Sequence, residues 1–297
     1  MTAHDLTSIR GNLGKLSVHE DVPQTMEQRA KYRLVDTPNA VSSLIDTLST
    51  VEAESASIFL DLEGLNLSRH GSISLVQIWV PTLEQAFLLD VHILGTEAFN
   101  TINREGKTIK SIFESDSIRK YLFDVRNDAD ALFALFDIRL AGVTDVQLLE
   151  LATRRGPKHV LCGLAACIEK ECIMPSPALL KWQSTKTEVV KMFDPRHGGS
   201  YDVFNARPLL QILIDYCVGD VEFLPVLSAI YEERLNSHWS EKVRVETAER
   251  LEQSRSPKYK PRGKHKMFGP RSWRFPPKSR AGQAAIVTVP TTQSFSQ

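Results

Sequence analysis

No acidic residue follows Glu252 in this chain of 297 residues, although ten bases do, from Arg255 to Arg280. The formal net charge of zero, 36 Lys and Arg against 36 Asp and Glu, is therefore a cancellation between two parts. Residues 1–252 hold the other 26 bases and all 36 acids, a net of −10, and the tail carries +10. An even mixture of charge is excluded, and with it the argument that a neutral total rules out a polyanionic partner. Cysteine is scarce, four residues with no CxxC pair. Cys162, Cys167 and Cys172 recur at intervals that turn ~140° on a helix, so they share no face. A zinc cluster or disulfide framework is excluded, and free thiols in a reducing compartment are expected. No apolar run nears the ~18–20 residues that span a bilayer. The opening MTAHDLTSIRGNLGKL lacks the apolar stretch of a secretory signal. The expectation is an intracellular protein, in the nucleus and/or cytoplasm, neither secreted nor membrane-bound.

What is present is a patterned body between polar ends. Residues 1–31 read as a polar arm. Tyr32–Val35 reads as a short strand, followed by Asp36-Thr37-Pro38 as a helix start and by an apolar stripe at 41, 44, 45 and 48. Strand-like runs follow at Ser57–Leu62, Ile73–Val80 and Ala86–Val91, with turns marked by Gly71 and Pro81-Thr82. After a helical stretch near 95–118, strands at Lys120–Phe123 and Gly142–Val146 alternate with helices at Asp128–Phe136, Leu148–Ala152, Leu161–Lys170 and Leu180–Met192. Leu209–Arg234 reads as a long helix containing Pro225, which predicts a break near Val221. A meander followed by βα alternation predicts an α/β fold with a mixed sheet flanked by helices. The domain is expected over 32–236. Residues 237–297 are read as a helical linker and a basic, Pro-rich tail, disordered or loosely packed.

Four carboxylates contradict their surroundings. Asp61 and Glu63 end the apolar run IFLDLEG, and in a strand residues i and i+2 share a face. A carboxylate pair there is costly unless a cation meets it. Gly64 beside them allows close approach of a backbone or a ligand. Leu209, Leu213, Tyr216, Asp220, Leu224, Leu227 and Tyr231 form one helical stripe with Asp220 at its centre. That acid is either paired or metal-bound, or it caps a second helix from Val221. Asp128 lies where a strand gives way to a helix, the rim on which open α/β sheets place their sites. Spacing alone leaves it open as an N-cap and leaves Asp124 and Asp130 as rivals. Four such carboxylates on one rim would hold two hard divalent cations through oxygen. Two metals ~3.5–4 Å apart suit in-line displacement at a phosphodiester.

The ordered segments DLE (61–63), NDADAL (127–132) and YCVGD (216–220) resemble the three motifs of the DEDD, or DnaQ-like, 3′–5′ exonucleases. Tyrosine four residues before the last Asp resembles the DEDDy branch, with RNase D and the Werner-type exonuclease domain. GSISLVQIWV, VTDVQLL (143–149) and Asn205-Ala206-Arg207-Pro208-Leu209 are supporting landmarks. FDVRNDADAL resembles the eukaryotic "3′–5′ exonuclease domain-containing" type. The likeness covers Tyr32 to Leu235. It implies a ribonuclease H-like, mixed five-stranded sheet whose second strand runs against the rest. It implies Asp61, Glu63, Asp128 and Asp220 as ligands of two divalent cations, Mg²⁺ or Mn²⁺, and Tyr216 as the residue that positions the attacking water. Asp128 is preferred over Asp130 because it stands five residues after Phe123, where RNase D-like members usually have His. Leu62 and Gly64 would lie near the terminal nucleotide, and Asn127 is a further candidate contact.

The expected activity is a metal-dependent 3′–5′ exonuclease acting on nucleic acid with a 3′ end, single-stranded in preference, and releasing nucleoside monophosphates. The alternative is a nucleic-acid-binding or scaffold module on the same fold. In the tail, Lys260, Arg262 and Lys264 are candidate phosphate contacts. The same run reads equally as an import signal, or as a segment packed back on the acidic body.

Overall fold

The computed structural model describes residues 31–274, apart from Ser55 and Cys172. The expected N-terminal arm and the last tail bases, Lys278 and Arg280, lie outside the described residues. Strands β1 (Tyr32–Val35), β2 (Ser57–Glu63), β3 (Leu75–Val80), β4 (Gln85–Asp90), β5 (Arg119–Leu122) and β6 (Val143–Asp145) form one sheet in the order β1-β4-β3-β2-β5-β6. The sheet thus has six strands where the family resemblance implied five. The addition is β1, which pairs parallel to β4 at the edge. β3 is antiparallel to both β2 and β4, while β2–β5 and β5–β6 are parallel. Counted from β2, the second strand runs against the others, as expected.

The helices are α1 (Pro38–Ala53), α2 (Val91–Leu94), α3 (Glu97–Asn100), α4 (Ile109–Glu114), α5 (Arg126–Phe136), α6 (Val146–Thr153), α7 (Leu164–Lys170), α8 (Ser176–Phe193), α9 (Gln211–Val221), α10 (Leu224–Arg234) and α11 (Ser237–Arg255). Thr37 caps α1 by accepting from the Ala40 amide, and Pro38 takes the first turn, where no N–H is needed. Its stripe Val41, Leu44, Ile45, Leu48 and Val51 is buried against one face of the sheet. The predicted helix over 95–118 is instead two short ones, because α3 ends at Asn100 and α4 restarts with Thr108 and Ser111 as a reciprocal cap. Pro225 separates α9 from α10 as predicted, so Asp220 lies in the last turn of α9 and caps nothing.

β2 runs through the middle of two cores. Ile58, Leu60 and Leu62 pack on the α1 side, whereas Phe59 packs on the other side with Tyr121, α9 and α10. Asp61 and Glu63 share the parity of Phe59, so they face α9 across the C-terminal end of the strand.

The segment after 236 differs from a linker. α11 packs on α5, α6 and β6, and its Arg250, 3% exposed, donates to the buried Asp145 carboxylate at 2.6 Å. Residues 256–274 return to the body, and Leu161 and Gly269 donate to Met267 and His159 carbonyls across that contact. Trp273 is buried against Trp239. Between a free arm and packing on the body, the described part of the tail packs, held by the burial of Trp273 and by backbone hydrogen bonds to the 159–161 segment.

Candidate active site

Three elements bring the predicted carboxylates to one cavity of about 290 Å³. β2 supplies Asp61 and Glu63. The last turn of α9 supplies Asp220, with Tyr216 one turn earlier on the same buried face. The first turn of α5 supplies Asp128. One carboxylate oxygen each from Asp61, Glu63 and Asp220 lie within 4.8 Å of one another. Asp128 lines the same cavity without joining that group of three.

The β5–α5 junction that presents Asp128 is held by Asp145, which lies outside the cavity lining. Asp124 adopts a left-handed conformation (φ 65°), which turns the chain sharply after β5. The freed amides of Asp124 and Val125 donate to the Asp145 carboxylate at 3.1 and 3.2 Å. Arg250 neutralises that carboxylate from behind. The rival acids are committed to ion pairs: Asp130 with Arg69 at 2.6 Å, and Asp124 with Arg126. Of the three candidates, Asp128 is the one without an arginine partner.

A cation that the sequence did not single out stands in the cluster. Lys186, on α8, forms an ion pair with Asp220 and lies 5.0 and 5.1 Å from the ring centroids of Trp182 and Tyr216. α8 and α9 approach closely because Gly219 has no side chain; a Cβ there would sit 2.7 Å from the Trp182 ring nitrogen. The available signal was an interruption: Trp182, Lys186, Val189 and Phe193 lie along one helical stripe, and Lys186 is its charged member.

The electrostatics are those of an overcrowded acid site. Burial, then repulsion from Asp220, pushes the Glu63 carboxyl up to about 8, against a hydrogen bond from Tyr216 and the charge of Lys186. Burial, then Asp124, pushes Asp128 up to about 8, with Lys266 opposing. Asp61 is raised well above the usual carboxylate range by burial and then by Asp220, Asp128 and Glu63. Burial followed by Glu63 and Asp220 keeps the Tyr216 phenol protonated. Burial disfavours the Lys186 ammonium, but Asp220, Asp61 and Glu63 more than offset it. A set of oxygen donors with more negative charge than its lysines neutralise fits hard divalent cations.

The remaining expected contacts fall in different places. Leu62 lines the cavity from a buried position. The close approach permitted by Gly64 is to backbone, since a Cβ there would meet the Ser72 carbonyl at 2.0 Å. Asn127 lines the cavity, and its Oδ1 accepts from the Tyr259 hydroxyl at 2.8 Å and from Lys266 at 2.5 Å. Arg262 bonds to Asn66. Lys260 borders a neighbouring pocket, and Lys264 is exposed. Lys266, which the sequence reading passed over, reaches into the acid cavity from the C-terminal segment. No periodicity marks it, because its segment is irregular.

A mixed sheet with one reversed strand, helices on both faces and acids at the strand ends defines a ribonuclease H-like nuclease fold. The profile of the 3′–5′ exonuclease family matches residues 32–236. The chain belongs to that family. Among solved structures, the Trypanosoma brucei RNase D complex with RNA U12 is similar at 24% identity and a TM-score of 0.59, over 77% of this chain and 72% of that one. The same enzyme's GMP complex matches at 22% and 0.59, over 76% of this chain and 65% of that one. Escherichia coli RNase D matches at 21% and 0.52, over 76% and 51%. The mouse piRNA biogenesis protein EXD1 is 33% identical over 89 residues, 30% of this chain and 14% of that protein's length. Among the described residues, no helix is long and apolar enough to cross a membrane.

Proposed function

We propose that the chain is a 3′–5′ exonuclease that uses two divalent cations, Mg²⁺ or Mn²⁺, to hydrolyse the terminal phosphodiester of a nucleic acid and release a nucleoside 5′-monophosphate. The carrying observation is the convergence of Asp61, Glu63 and Asp220 within 4.8 Å, in one cavity with Asp128 and Tyr216. These four carboxylates would hold the cations, which when bound activate water and stabilise the leaving oxygen. The water oxygen adds to phosphorus, the bond from phosphorus to the 3′-oxygen of the preceding nucleotide breaks, and that oxygen takes up a proton.

The chain's own residues do the positioning. Tyr216 keeps its proton and hydrogen-bonds Glu63, which fixes the hydroxyl where it can orient the attacking water. Lys186 places positive charge beside Asp220, towards a negatively charged phosphate. A cavity of about 290 Å³ is at the small end of ligand sites, ~300–1,000 Å³. It favours one unpaired terminal nucleotide over a duplex end. The RNA complex of the T. brucei relative makes RNA the first substrate class to test.

Digestion of 5′-labelled single-stranded RNA and DNA with Mg²⁺ or Mn²⁺ tests the reading. A ladder shortening from the 3′ end is expected, with Asp61→Asn or Asp220→Asn lowering the rate by ~10³-fold or more, the scale for loss of one member of a catalytic unit. Cleavage that survives both substitutions overturns it. Retained binding without cleavage by any substrate and metal would assign the chain to the binding-module alternative.

A further inference from the structure

A second, basic pocket adjoins the acid cavity and shares a wall with it. Its volume is about 510 Å³, and its rim carries Arg126, Lys258, Lys260, His265 and Lys266 around Tyr259. No acid lines it. Lys258 and Lys260 are exposed, and neither forms an ion pair with an acid among the described residues. Lys266 is the shared element, lining both cavities.

The pocket is not a loose collection of surface lysines. The Tyr259 hydroxyl donates to Asn127, next to Asp128, and its ring lies 5.6 Å from the Arg69 guanidinium and 5.8 Å from the Lys266 ammonium. Arg126, 8% exposed, donates to the Lys266 carbonyl at 3.0 Å. Lys266 in turn donates to Asn127 and to the Tyr259 hydroxyl. Through these bonds the basic rim is fixed to the first turn of α5, the same turn that presents Asp128. Asp124 engages Arg126, but the other bases of this concave rim have no acid in its lining, and such a rim beside a phosphodiester site is complementary to further phosphates of the same strand.

We propose that this pocket is a second substrate subsite, which takes the backbone phosphates on the 5′ side of the scissile bond. The proposal rests on the exonuclease reading: with the 3′-terminal nucleotide in the acid cavity, the strand leaves past Lys266 and enters the basic rim. The recognised chemistry is the phosphodiester backbone, so the contact is tolerant of base identity. It makes efficiency depend on strand length.

The test compares an oligouridylate of about 12 nucleotides with p-nitrophenyl thymidine 5′-phosphate, which carries no upstream phosphate. In Lys258→Glu/Lys260→Glu, the ratio of kcat/KM for the oligonucleotide to that for the ester is expected to fall about tenfold. The salt slope of oligonucleotide binding should shrink by ~1.4, or ~0.7 for each lost single-strand phosphate contact. An unchanged ratio and slope overturn the subsite. If the charge reversal prevents folding, Lys258→Ala and Lys260→Ala singly carry the same test at ~0.7 each. Binding of the oligonucleotide to Asp61→Asn protein in EDTA, read by fluorescence anisotropy, decides the pocket even where no substrate is turned over. A normal slope there with no catalysis in the wild type would sink the exonuclease reading and leave the subsite standing.

Discussion

The two walls of the acid cavity are built in opposite ways. One wall is β2 and α9, whose regular repeats carry Asp61, Glu63, Tyr216 and Asp220 to one face. The other is the start of α5, where Asp128 and Asn127 depend on groups more than a hundred residues away: Arg250 behind Asp145, and Tyr259 and Lys266 on Asn127. Three acids of the first wall and its continuation lie within 4.8 Å, while Asp128 stands apart from them. A site assembled from a strand and a helix is stiff because the sheet ladder and helix hydrogen bonds fix it. A site held by a turn is only as firm as the side chains that satisfy that turn's amides.

The comparison can be broken most directly at Arg250. Replacing it with Met leaves the Asp145 carboxylate, 0% exposed, with amide donors but no counter-charge. Removing one partner of a buried ion pair costs ~3–5 kcal/mol, which for a domain of this size lowers Tm by roughly 6–20 °C. Thermal denaturation of Arg250→Met measures it. Activity should fall more steeply than after an equally destabilising core substitution such as Leu48→Ala, because the turn that aims Asp128 is released. Equal losses in the two variants would mean that the second wall is as autonomous as the first.

A smaller effect separates the walls by pH. The unfolded chain ionises Glu63 near 4.5, whereas the folded protein holds its proton up to about 8. Asp128 behaves likewise, ionising near 3.8 when unfolded and at about 8 when folded. Between those limits the native state binds more protons than the unfolded state, so stability declines as pH rises. Without metal, Tm should drop steadily between about pH 5 and pH 8. Added Mg²⁺ or Mn²⁺ should flatten the slope, since a bound cation replaces the protons. Glu63→Gln tests the first wall's share and Asp128→Asn the second's. A metal-free Tm that is flat or rises over this range contradicts the crowded-acid account.

The first wall was largely legible in the sequence and the second was not. Period-two alternation in IFLDLE put Asp61 and Glu63 on one face, and the 3.6-residue stripe from Leu209 put Tyr216 and Asp220 on another. Pro225 marked the break between α9 and α10. Local pattern was enough because each residue's direction is set by its own element. Spacing could not choose among Asp124, Asp128 and Asp130, because the choice is made by Arg126 and Arg69 taking the other two. The basic tail stayed open between a free arm and packing on the body for the same reason. Its composition offers few aliphatic residues, and nothing local announces that Trp273 will meet Trp239 or that Arg250 will meet Asp145.

Lys186 gives the finest test of the contrast, because it belongs to neither wall by sequence and touches only the first. Its ammonium neutralises part of the charge shared by Asp61, Glu63 and Asp220. A divalent cation entering the group must share those oxygens with it. In Lys186→Met the side chain keeps its stem between Trp182 and Tyr216 but loses the charge, so the carboxylates attract cations more strongly. Removing a unit charge a few ångströms away in a partly buried site changes that attraction by ~1 kcal/mol after screening, about a fivefold lower metal concentration for half-maximal binding. Titration of metal followed by Tm or calorimetry reads the shift. Asp128, on the opposite wall, should respond little to the substitution, since Lys266 rather than Lys186 opposes the rise of its pKa. If metal instead bound more weakly in Lys186→Met, the lysine would be holding Asp220 in its ligating position rather than competing for it, and the first wall would owe its geometry to a side chain after all.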